Sequence, residues 1–537
     1  MRTIYSTIRR LVGKHRTAGL LALFAATISG CTKNFESYNT DPTGLPNASL
    51  QVNTLFFPLE QEIMYMTDDG YQLGQNLNAD MYAGYSMPDQ TFGEALDNAN
   101  YVFIDGWNSE AFNSIYVNLI GPIKNKLGYS GVQVTQPDFW AIALIVEVEA
   151  IDRITDKFGP VPYSMVGTSL VSVAYDSQQS IYQQMFLQLD TAAANLNAYI
   201  TANPGATPLA NYDAIFAGDY TKWLKFANSL RLRLAMHIVK VDPTTAQAQA
   251  EKAMSAPGGL MAQVSDDANI LANQANGNDY NQITDSYGDN SMNASIESIM
   301  VGYNDPRLPV YFQPDSTTGY TSQYDGIRIG CNIPPKPFYS GYAKYNYNTT
   351  FLINTPETIM TAAEVYFLKA EAALRGWAGA GDAQSNYVTG ITTSMQQYGV
   401  SPGSYITDNT SVPANYTDYL VPSNSTPAVS TITIAWDPAA SNETKLEKII
   451  TQKWLAMFPE GQEAWTEYRR TGYPKLFPVV TNNSGGTIST QIQVRRLAYP
   501  EGEATVNPVG LKTGLALLGG PDNGGTRLWW DVAKGNF

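Results

Sequence analysis

Apolar residues in this chain recur with a helical period in several long stretches, separated by stretches with no regular period. The run "FWAIALIVEVEAIDRITDKFG" at 139 to 159 is apolar enough for a buried helix, and Gly159-Pro160 supplies the glycine and following proline that stop one. In "SIYQQMFLQLDTAAANL" at 180 to 196, Ile181, Met185, Leu189 and Ala192 fall on one face, with Asp176 and Ser177 as candidate caps. In "DYTKWLKFANSLRLRLAMHIVK" at 219 to 240, Trp223, Ala227, Leu230, Leu234 and Ile238 form an apolar stripe, with Lys222, Lys225, Ser229 and Arg233 elsewhere. These three patterns predict amphipathic or buried scaffold helices.

Further along, "NTPETIMTAAEVYFLKAEAALRGW" predicts a helix with Thr355 as N-cap, Pro356 in the first turn and Glu357 beside the positive end. After Gly379-Ala380-Gly381 a second helix, "DAQSNYVTGITTSMQQYG", stops at Gly399. Two helices joined by a short glycine turn make an αα-hairpin, and the small residues Ala370, Ala372 and Ala373 give it the packing of a tetratricopeptide unit. "ETKLEKIITQKWLAMF" and "EGQEAWTEYRRTG" predict another pair, although no strict 34-residue repeat is present. The expected fold is therefore mainly α. A tetratricopeptide-like scaffold spans chiefly 50–275, 355–400 and 441–476, and irregular, loop-rich regions span 276–354, 401–440 and 477–537. The stretch 280 to 350 carries ten tyrosines and two phenylalanines, too aromatic for simple disorder and too long for an idle loop.

The N-terminus changes the setting. Arg2, Arg9, Arg10, Lys14 and Arg16 precede an apolar core of 11 residues, Ala18 to Ile28, with no acid before residue 31. That run is too short to span a bilayer and has the layout of a secretory leader covering 1–30. Ser29-Gly30 directly before Cys31 is similar to a bacterial lipobox, so Cys31 is expected to be acylated and to anchor the protein. Its sole companion, Cys331, then has no partner in the chain, and the remaining 507 residues must be held by burial rather than disulfides. The processed chain has 28 Lys and Arg against 48 Asp and Glu, a net charge of about −20 that argues against nucleic acid and against electrostatic adhesion to anionic lipid.

Catalytic chemistry finds little footing. His15 leaves with the leader, so His237 is the sole histidine, and beside Met236 and Ile238 it reads as a packed side chain. Ser-His-Asp catalysis and multi-histidine metal sites are thereby set aside. Cys331 reads as an incidental thiol. A glycoside hydrolase needs only two carboxyl groups about 5 to 9 Å apart, and 48 acids leave that alternative open. A third alternative, a purely structural adaptor, accounts for the helices but gives the tyrosine-rich loops no task.

Taken together, "NTDPTG" after Cys31, "ITDKFGPVPYS" at 154 to 164, "GDYTKWLKFANSLRLRLAM" at 218 to 236 and "NDPRLPVYF" at 304 to 312 form an ordered set. "ETIMTAAEVYFLKAEAALRGW", "KIITQKWLAMFPEGQEAWTEYRRTGYPKL" and "RRLAYPEGEATVN" continue it. In this order and spacing the chain resembles the SusD/RagB family of outer-membrane nutrient-binding lipoproteins over essentially its whole processed length. The resemblance implies a helical scaffold presenting an irregular ligand-capturing region, no enzymatic activity, and a seat as lid on a SusC-like TonB-dependent transporter. It implies an oligosaccharide or peptide nutrient and a lipid-anchored position on the outer membrane facing the cell exterior. No cofactor is implied; acidic loops could hold calcium, but no EF-hand-type pattern marks a site.

Within the shared motifs, Gly472 and Pro474 are expected to end a helix that Trp465 and Tyr468 pack, and Arg469 and Arg470 to meet acids or carbonyls. Arg307 is expected to tie the Asp305-Pro306 turn to the scaffold. Ligand contact is assigned instead to aromatics and amides in polar, glycine-interrupted surroundings, whose flat faces and hydrogen-bonding edges suit sugars or peptides. The candidates are Tyr82, Tyr85, Trp107 and Asn108 in one window and Tyr287, Tyr324, Tyr339 and Tyr342 in the other. Trp107, in "DGWNSE", is expected to lie outside the helical patterns.

Overall fold

Several of the long helices start where a short polar side chain takes over backbone N–H groups that no helical carbonyl reaches. In the computed structural model, which describes residues 51–537 apart from 68, 93–95, 169–171, 273–274, 276 and 317–322, Ser177 opens the helix Gln178–Ala202 by accepting from Ser180 N. Asp219 opens Tyr220–His237 by accepting from Thr221 N and Lys222 N. Asp382 does the same for Ala383–Gln397, and Ser441 for Asn442–Met457. The apolar helix Pro137–Phe158 carries proline in its first turn and ends at Gly159, whose φ is 88°. The leader and Cys31 lie outside the described residues.

One start differs from the sequence reading. Glu357–Met360 is a strand paired antiparallel with Ala268–Ile270, and the helix runs Ala362–Leu374 with Thr361, not Thr355, as its cap. The Glu-Thr-Ile-Met stretch buries three of its four residues, and strand pairing satisfies its backbone where a helix would have needed another turn. The irregular regions also hold helical segments, the longest Ala294–Gly302 and Pro508–Leu517, that the loop-rich reading of 276–354 and 477–537 did not include.

Neighbouring helices pack pairwise, Pro137–Phe158 on Gln178–Ala202, the latter on Tyr220–His237, and Ala362–Leu374 on Ala383–Gln397 and Asn442–Met457. Gly390 makes the second hairpin close: a Cβ there would stand 2.8 Å from Phe367 Cζ. Strands are short antiparallel pairs, among them Ser86–Met87 with Ser291–Met292, which joins the first loop window to the second. No helix among the described residues is long and apolar enough to cross a membrane.

The scaffold core is ionic as well as apolar. Arg233 grips Glu364 with two hydrogen bonds of 2.8 and 2.7 Å, and Arg470 does so with Glu371 at 2.8 and 2.6 Å and with Glu467 at 2.8 and 2.7 Å. Arg469 instead donates to the carbonyls of Asp156, Arg495 and Trp465. Arg307 forks onto Asp305 at 2.9 and 2.7 Å and reaches Ser394 and Gln452, tying its turn to two helices. His237 is fully buried between Glu463, Asp152 and Asp156. Burial opposes its charge, but Glu463 and Asp152 outweigh it and hold the ring well above the usual histidine range. Such pairs set register: each cation is satisfied only when the right helices meet. Gly472 closes the helix Gly461–Thr471 in the left-handed region, with φ 79°.

Candidate functional site

The first loop window is core. Tyr82 is 2% exposed, its hydroxyl donates to the Asn98 carbonyl at 3.2 Å and its ring lies 5.3 Å from Trp465. Tyr85 is wholly buried between Trp454 and Phe458 and donates to the Trp454 carbonyl. Trp107 sits inside a helix, Asp105–Ile115, 9% exposed and edge-on to Phe92 at 5.5 Å. Asn108 donates to the Ala498 carbonyl at 3.1 Å. All four, expected as ligand contacts, are buried here and held by partners within the protein. Trp107, Ala111 and Ile115 recur at every fourth position and are all buried, a helical stripe that outweighs the polar residues between them.

The second window divides. Tyr287 is half-buried, accepting from Gln282 Nε2 at 2.7 Å, while Lys336 holds its backbone carbonyl at 3.0 Å. Tyr339 and Tyr342 are buried side by side, ring centroids 5.0 Å apart, and both hydroxyls donate to Asp418, at 2.9 and 2.8 Å. Their rings have no open face in this structure. Phe338 extends this row outward, 4.9 Å from Tyr339 and 40% exposed.

Asp418 is the fastening point. Besides the two tyrosines, it accepts from Leu420 N at 3.0 Å, Val421 N at 2.9 Å and Asn424 Nδ2 at 2.9 Å, with 1% of its surface exposed. Five donors on one carboxylate fix the turn that follows, and the next residue, Tyr419, is left 43% exposed. Beside it opens a cleft of about 380 Å³ lined by Tyr324, Tyr419, Gln323, Asn304 and Asn415, with Val301 and Leu308 as apolar patches. Tyr324 is thus the sequence candidate that lies on the wall of this cleft. Tyr419, Asn415 and Asp418 went unnoticed in the sequence because 401–440 reads as polar filler; the signal was the Asp-Tyr pair ahead of Pro422.

The back of the cleft is acidic. Glu297 accepts from Gly326 N at 2.7 Å, and Asp315 from Asp325 N at 3.0 Å. Burial first, and then the Asp325 carboxyl, push Asp315 up to about 9. Burial likewise raises Glu297. Two rings, several amides and a rear wall of carboxyls that burial biases toward their neutral form can stack on and hydrogen-bond a neutral polyhydroxylated ligand. Cys331 stands apart: burial pushes its thiol up to about 12, leaving it unreactive.

Comparison with known proteins agrees with this architecture. The family described as SusD-like, "Susd and RagB outer membrane lipoprotein", matches residues 33–531. A chitin-binding SusD homologue from Flavobacterium johnsoniae is 43% identical, with a TM-score of 0.87 over 91% of this chain and 100% of that one. A SusD homologue from Bacteroides vulgatus is 37% identical with a TM-score of 0.83, covering 90% of this chain and 98% of the other. One from Bacteroides thetaiotaomicron is 32% identical with a TM-score of 0.82, covering 90% and 100%. Among curated proteins there is no match. The chain belongs to the SusD-like family of outer membrane lipoproteins.

Proposed function

We propose that this protein is a surface glycan receptor, anchored through Cys31, that captures an oligosaccharide in the Tyr324–Tyr419 cleft and passes it uncleaved to a TonB-dependent transporter. The observation that carries the reading is the cleft itself: two tyrosines and several side-chain amides around about 380 Å³, on a turn locked by Asp418. The likeness to a chitin-binding homologue makes β-linked N-acetylglucosamine oligomers the first ligand to try, ahead of peptides. The transporter partner rests on family membership. The alternative, a glycoside hydrolase, needs two carboxyl groups set as acid and nucleophile or base, and recovery of the sugar uncleaved decides against it.

The test is calorimetric titration of the detergent-solubilised protein with chitin oligosaccharides of increasing length, followed by chromatography of the recovered sugar. Saturable binding with intact sugar is expected. Cleaved sugar, or binding of peptides in place of any glycan, would overturn the reading.

A further inference from the structure

A second depression, of about 310 Å³, shares no residue with the aromatic cleft and has the opposite chemistry. It lies where the end of the helix Gly461–Thr471 meets residues 491–495 and 527–534. Seven basic side chains line it, and no acidic one does, in a chain whose overall charge is −15. Some of that charge is answered from behind: Arg470 by Glu371 and Glu467, Arg495 and Arg527 both by Asp531. One carboxylate thus serves two guanidinium groups. Lys240 donates to the Arg470 carbonyl at 3.0 Å, exposed Lys475 lies over the Tyr473 ring at 4.5 Å, and Lys534 is exposed. Among the described residues none of these three lysines forms an ion pair with a carboxylate, and Asp531 acts on Lys240 only through space.

The surplus is felt by its members. Burial and then the Arg470 charge push Lys240 down to about 8, and burial lowers Arg469 to about 9, with Arg495 adding to the effect. A concave site lined by positive charge in excess, on an otherwise acidic protein, suits an anion: the exposed ammonium groups of Lys475 and Lys534 can bond it, while guanidinium groups held from behind supply charge; like charges held together without an anion repel. Its volume admits a compact group with several acceptor oxygens.

We propose that this basic depression, lined by Lys240, Lys475, Arg495, Arg527 and Lys534, binds a tetrahedral oxyanion, supplied as the sulfate or phosphate ester of a saccharide or as the free ion. Binding there is independent of the sugar held in the aromatic cleft.

The full-length protein in neutral detergent is titrated with inorganic sulfate and, separately, inorganic phosphate at constant ionic strength set with chloride. A Lys475→Ala/Lys534→Ala variant removes two exposed lysines whose loss leaves the fold intact, as circular dichroism and the unfolding midpoint check. Saturable uptake of one or both ions is expected, weakened roughly tenfold or more in the variant. The preferred ion distinguishes a sulfated from a phosphorylated source. No uptake of either ion at millimolar concentration, or equal uptake by both proteins, overturns the proposal.

Discussion

Replacing Asp418 with asparagine tests whether the turn behind the cleft is what makes it a binding site. In the better amide orientation Oδ1 still accepts from Tyr342, Leu420 N and Val421 N, but each bond loses its charge assistance, about 1 kcal/mol apiece. At the other position an NH₂ group replaces the acceptor of Asn424 Nδ2 and Tyr339. Tyr339 can turn and accept; Asn424 faces donor against donor, at about 1–3 kcal/mol. Because these terms are not additive and the turn can relax toward water, the net loss is about 2–4 kcal/mol, concentrated in the turn rather than the scaffold. If ligand binds only the ordered turn, that loss is charged to binding and the apparent affinity falls by as much as about 30- to 900-fold. Calorimetric titration with a chitin oligosaccharide, paired with thermal unfolding, reads both quantities. Unchanged affinity alongside a lowered unfolding midpoint would refute the reasoning, because the Asp418 network would then support the fold without shaping the site.

Two other outcomes follow from the scaffold and one from the expected anchor. Arg307→Met leaves Asp305 buried without its fork and should cost about 3–5 kcal/mol, read by urea denaturation. His237, raised in the folded protein, stabilises fully below its unfolded value near 6.5 and progressively less as pH climbs toward its folded value. The stability gap between wild type and His237→Gln should therefore be widest at pH 6 and shrink by pH 9; a gap that widens with pH contradicts the paired, protonated ring. Cys31→Ala should abolish acylation, so metabolic labelling with a radioactive fatty acid leaves the variant unlabelled while wild type is marked.

The scaffold was legible in the sequence because its signals are local. The stripe from Trp223 to Ile238, the Gly159-Pro160 stop and the glycine turn before Asp382 act over one or two helical turns, and the helices at these places have the bounds that such signals set. Thr355 misled because a cap and a turn use the same residues, and only the distant strand Ala268–Ile270 decides between them. The site was far less legible. Tyr82 and Tyr339 carry the same polar-flanked signature as Tyr324, but contacts with Trp465 and Asp418, remote in sequence, bury the first two and not the third. Asp418 shows no pattern at all until residues 76 and 79 positions away come to rest on it.

The most direct test is the affinity of Tyr324→Ala and Tyr419→Ala for a chitin oligosaccharide, measured beside wild type with the unfolding midpoint of each. A stacked ring that removes about 50–100 Å² of apolar surface from water contributes about 1–2.5 kcal/mol. Each substitution is therefore predicted to weaken binding by about 6- to 70-fold, with the midpoint nearly unchanged because both rings are partly exposed. Wild-type affinity in both variants would contradict the account and place the ligand elsewhere on the protein.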